Sequence, residues 1–127
     1  MKQRVVITGL GVISALGDDS DSFWQACLKG RSVVAPIPEH WREYAVFRSS
    51  LWSPLAPVDF ESLGFTRMER MQFDPVTLLA VAAAGQALSK AGLEPELCNR
   101  RANLYKVPNI DGQRSAVFMG TGVGGVN

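Results

Sequence analysis

The sequence predicts a layered α/β fold with parallel strands. Three observations lead there. Two short apolar runs, Arg4 to Thr8 and Ser115 to Met119, each lead into glycines, as buried strands do. Helical patterns lie between them, the order that strand and helix layering requires. The 127 residues are 46% hydrophobic and 20% charged, which supplies the apolar surface for one domain. Two strands are too few for a stable sheet of this kind, so the sheet is expected to be incomplete within these residues.

The elements follow in order. Val5-Val6-Ile7 is β-branched and ends at Gly9, and Gly9 to Gly17 is a glycine-punctuated loop. Asp18-Asp19-Ser20-Asp21 then offers capping oxygens and negative charge for a helix start. Phe23, Trp24, Cys27 and Leu28 recur at helical spacing, and Gly30 ends a helix predicted from about Ser20 to Lys29. Pro36, Pro38, Pro54 and Pro57 break up Ser32 to Leu63, where Tyr44 to Arg48 suits a short edge strand. A helical turn is expected over Thr66 to Met71.

Asp74-Pro75 is a strong start signal, with a capping carboxylate followed by proline at the first helical position. The helix it opens runs to Ala91 and stops at Gly92. Val76, Leu79, Ala80, Ala83, Ala87 and Ala91 form one stripe, and Leu78, Val81, Ala82, Ala84 and Leu88 lie around it. A helix apolar nearly all round belongs inside a larger body, and its alanines let neighbouring backbones approach closely. Glu94 to Leu97 is expected as a short turn and Asn99 to Arg114 as a polar loop. Ser115 to Met119 is the second buried strand.

Charge and cysteine usage narrow the function classes. Thirteen basic residues face twelve acidic ones, leaving a net charge of +1 with no basic stripe for nucleic acid. Cys27 and Cys98 lie far apart and His40 is the lone histidine, so no zinc pattern arises. The basic start and apolar Val5 to Gly17 resemble a signal peptide. The β-branched run and its glycines suit a strand and turn better, so a cytoplasmic protein is expected. Val76 to Leu88 is too short to span a bilayer, which takes about 20 residues.

Gly9-x-Gly11-x-x-Ser14 and Gly120-x-Gly122-x-x-Gly125 both approach the dinucleotide fingerprint. That motif needs a helix directly after the glycines. The first has its helix only from about Ser20, and the second has none within the sequence. Cys27 reads as a small buried hydrophobe. Cys98 has arginines nearby but no base, and His40 has no triad partner. Asp18, Asp19 and Asp21 are explained by helix capping without a metal. Taken alone, these patterns give no complete active site.

Four segments, taken in order, carry a resemblance: Arg4 to Gly17, Phe23 to Ser32, Asp74 to Leu93 and Ser115 to Gly125. They are similar to the opening strand and loop, the first helix, the long alanine-rich helix and the G-[ST]-G-x-G-G loop of the β-ketoacyl-[acyl-carrier-protein] synthases. These are condensing enzymes with the thiolase-like layered α-β-α fold. The resemblance implies transfer of an acyl group onto a cysteine, then decarboxylative condensation with malonyl-acyl carrier protein, in fatty acid or polyketide synthesis. A thiol nucleophile, two histidines that stabilise enolate and oxyanion charge, and a dry acyl tunnel do this work. No cofactor or metal is implied, and the partners are acyl carrier protein and a second synthase subunit in a homodimer.

Neither cysteine matches the family's nucleophile and His40 matches neither of its histidines. Residues 1–127 therefore resemble a partial N-terminal thiolase-like domain that stops before the catalytic cysteine, and the chain alone is expected to be inactive. Asn99 to Arg114 is longer than the family pattern. One binding position carries over. Val123, between Gly122 and Gly124, matches an apolar residue of the acyl pocket near the dimer interface. Two alternatives stay open: a non-catalytic partner of a full synthase, and a small nucleotide-binding domain.

Overall fold

The computed structural model describes residues 4–43, 48–99, 101 and 104–122. The chain divides into two compact units, Val12–Asp59 and Met1–Gly11 with Phe60–Asn127.

The Val12–Asp59 unit opens on a tight turn in which the Ser14 N–H donates to the Gly17 carbonyl at 2.8 Å and the Gly17 N–H donates back at 3.2 Å. Helix α1 follows, Ser20–Leu28. The Asp19 carboxylate caps it, accepting from the N–H groups of Asp21 at 2.7 Å and Ser22 at 2.9 Å. At its end the Gly30 N–H reaches the Cys27 carbonyl and the Arg31 N–H reaches the Ala26 carbonyl, both at 3.0 Å. This paired pattern needs a left-handed residue, supplied by Gly30 at φ +62°. The helix buries Ala26 and leaves Trp24 and Leu28 exposed. Strand β1 (Ala35–Pro36), helix α2 (Glu39–Arg42) and strand β2 (Leu51–Trp52) complete the unit. The strands pair antiparallel, with Ala35 opposite Trp52. Trp41 meets Trp52 edge-on at 4.8 Å between ring centres. Of the short strand expected over Tyr44 to Arg48, Tyr44–Phe47 lie outside the described residues and Arg48 sits in a bend.

In the other unit, a turn from Phe60 to Phe65 is closed by Phe65 N–H to Phe60 carbonyl at 3.0 Å, with the two rings edge-to-face at 5.7 Å. Helix α3, Arg67–Gln72, forms where the helical turn over Thr66 to Met71 is expected. A reciprocal capping box explains it. Thr66 Oγ1 accepts from the Glu69 N–H at 3.2 Å and Glu69 Oε2 accepts from the Thr66 N–H at 2.8 Å. Helix α4, Pro75–Lys90, has the bounds its sequence signals imply. Asp74 accepts from the Thr77 N–H at 3.0 Å and the Thr77 hydroxyl at 2.7 Å. At the far end the Gly92 N–H donates to Ser89 and the Leu93 N–H to Leu88, each at 2.9 Å. Leu78 and Ala82 are buried, while Val81, on another face, stays 51% exposed. One side of α4 is covered and another is open, in keeping with a helix built for a larger body.

Two expectations are corrected beyond α4. Glu94 to Leu97 is not a turn, and Asn99 to Arg114 is not wholly loop. Strand β3 (Glu96–Asn99) pairs antiparallel with β4 (Leu104–Lys106). The register sets Glu96 opposite Lys106 and Leu97 opposite Tyr105, an opposite-charge pair and an apolar pair. A 3₁₀ turn, Gly112–Arg114, follows, with Asp111 accepting from the Gln113 N–H at 3.0 Å.

The larger correction concerns the sheet. Arg4 to Thr8 and Ser115 to Met119 are not strands of a ladder among the described residues, and neither is buried. Val5 is 94% exposed and Phe118 is 95% exposed. Parallel strands need hydrogen-bonding neighbours at their edges and a layer on each face. Among the described residues, neither surrounds these segments. The mixture of helix and strand is compatible with an α/β fold, but the described ladders are two small antiparallel pairs.

Candidate functional site

The glycine loop after Arg4 to Thr8 lies close against the backbone of α4. A Cβ added at Gly9 would overlap the Ala87 carbonyl oxygen and come within 3.0 Å of the Ala91 nitrogen. One added at Gly11 would overlap the Ala83 carbonyl oxygen and stand 2.7 Å from its carbon. The spacings match. Residues i and i+2 of an extended segment are about 6.6 Å apart, and one helical step of four residues rises about 6 Å. Gly9 and Gly11 thus sit on successive steps of the Ala83-Ala87-Ala91 stripe, so the Gly-x-Gly here serves close contact between loop and helix.

The fingerprint reading loses its second requirement as well. A phosphate-binding helix start offers free N–H groups. In α1, Asp21 and Ser22 donate theirs to Asp19, and in α4 Thr77 donates to Asp74.

The second glycine loop is open where it is described. Gly120 and Gly122 are exposed, and an added Cβ at either would meet no atom within 4 Å. Val123 and Gly124, the remaining acyl-pocket candidates, lie outside the described residues. Gly122 is thus the one acyl-pocket candidate among the described residues, and it is exposed. The crowded backbone is at Gly9 and Gly11. The signal was present as two glycines at strand period facing alanines at helical period.

Both cysteines and the histidine are exposed. Cys27 is exposed rather than buried, because Ala26 takes the inward position of α1. Cys98 is exposed on β3, its thiol 3.6 Å from the Glu96 carbonyl oxygen. His40 is exposed on α2, with its ring edge-on to Trp41 at 6.1 Å. Among the described residues no three His, Cys, Asp or Glu side chains group as a metal would need. Nor is any described helix long and apolar enough to cross a membrane.

The family model for the beta-ketoacyl synthase N-terminal domain matches residues 2–127. The chain belongs to the beta-ketoacyl synthase family. Among its relatives, the 3-oxoacyl-[acyl-carrier-protein] synthase 2 of Coxiella burnetii is 31% identical over 131 residues, covering 98% of this chain and 27% of that protein. Nodulation protein E of Rhizobium sp. (strain N33) is 33% identical over 112 residues, covering 88% of this chain and 26% of that protein. The tetracenomycin polyketide synthase ketoacyl synthase alpha subunit of Streptomyces glaucescens is 30% identical over 125 residues, with coverage of 97% and 25%. The chain spans about a quarter of the length of the curated relatives it matches. Gly9, Gly11 and the alanine stripe of α4 all fall inside the region matched to the synthase family.

Proposed function

We propose that these residues form the N-terminal part of a thiolase-like β-ketoacyl synthase that condenses an acyl thioester with malonyl-acyl carrier protein in fatty acid or polyketide synthesis. The observation that carries the reading is the family match across residues 2–127. The relatives named for fatty acid and polyketide synthases support the substrate class. In this reading Arg4 to Thr8 and Ser115 to Met119 are strands of a layered sheet whose partners come from synthase polypeptide outside these residues. Their exposed apolar faces accord with that. Val123, flanked by Gly122 and Gly124, contributes to the acyl pocket near the interface of a homodimer. The nucleophilic cysteine and the two histidines are not among these residues, so the 127-residue chain alone makes no ketoacyl product. The complete enzyme works in the cytoplasm on carrier-bound substrates.

Two measurements test this. The purified chain is incubated with acyl- and malonyl-carrier protein. No ketoacyl product is expected, and product would overturn the assignment of the chemistry to other polypeptide. In a chimera, these residues replace the matched quarter of a 3-oxoacyl-[acyl-carrier-protein] synthase 2. The chimera is expected to condense. A folded chimera with a reactive catalytic thiol but no condensation would count against the reading.

The exposed apolar segments also favour a second reading, a non-catalytic subunit that pairs with a complete synthase. Stoichiometric co-purification with an intact synthase, without gain or loss of its catalytic residues, would distinguish it.

A further inference from the structure

We draw no further inference here: the strongest candidate, the exposed apolar surface of the two extended segments Arg4–Leu10 and Ser115–Gly122, is an unpartnered face, and nothing in the structure shows what covers it.

Discussion

The two glycine loops look alike in sequence and differ in what surrounds them. Gly9-Leu10-Gly11 lies against α4 so closely that neither glycine has room for a Cβ, whereas Gly120 and Gly122 have open space on the side where a Cβ would stand. In the first loop the glycines are required by a neighbour already present. In the second, whatever asks for them is not among the described residues. A Gly-x-Gly pattern therefore reports a close approach without saying to what, and the approaching group has to be found in the fold.

The contrast is broken most directly at Gly11. Gly11→Ala pushes a methyl group into the Ala83 carbonyl, a backbone atom that cannot turn aside. The expected loss is about 2 kcal/mol, from overpacking. Gly122→Ala meets nothing and should stay within about 0.5 kcal/mol. Denaturant midpoints of the two variants of the 127-residue chain make the comparison. Equal shifts would mean that the first loop is not held by α4.

The second loop is sharpened at Val123. In a complete synthase carrying these residues, Val123→Trp fills space beside the acyl chain if the pocket assignment holds. The expected result is a fall of about tenfold in kcat/KM for long acyl substrates, with short ones less affected, since a misfit of this size in an apolar pocket is worth that much. An unchanged chain-length profile in a folded, active variant would remove Val123 from the pocket.

A smaller effect separates the exposed segments from the buried helix face. Phe118→Ser on the isolated chain touches a side chain that packs against nothing, so the unfolding midpoint should hold within about 0.5 kcal/mol. Self-association measured by sedimentation should fall, because the exposed apolar run drives it. A clear loss of stability would show that Phe118 is buried in solution.

How far the sequence could be read follows the same division between local and distant causes. The helix ends were legible because their signals are neighbours in the chain. Asp19 and Asp74 cap, Pro75 opens a helix, and Gly30 and Gly92 close one. Pairing was not legible, because it depends on distant partners. Arg4 to Thr8 has a strand's composition but no ladder among the described residues, while β3 and β4 pair through a register that composition does not show. The family resemblance rested on motif order and survived, since order does not depend on which partners surround each piece. It named Val123 through the family alone. The Gly9 and Gly11 contact with α4 was readable in principle from two matched periods, but only with the helix and the loop considered together.

The smallest expected effect lies at the start of α4, the helix against which the first loop lies. The Thr77 hydroxyl, and then the Thr77 N–H, donate to the Asp74 carboxylate and hold its pKa below the ordinary aspartate value. The folded-state pKa is thus the lower one. Stability from the cap is fully present above the unfolded-state pKa and is lost as pH falls through the folded value. Helix content of the chain, followed by circular dichroism, should therefore decline in the acid range below the ordinary aspartate pKa, and the decline should be shallower in Asp74→Asn. Asn still caps a helix through its side-chain oxygen, so the variant should remain helical at neutral pH and differ only in its pH profile. Parallel acid profiles for the two proteins would show that the Asp74 carboxylate does not anchor α4.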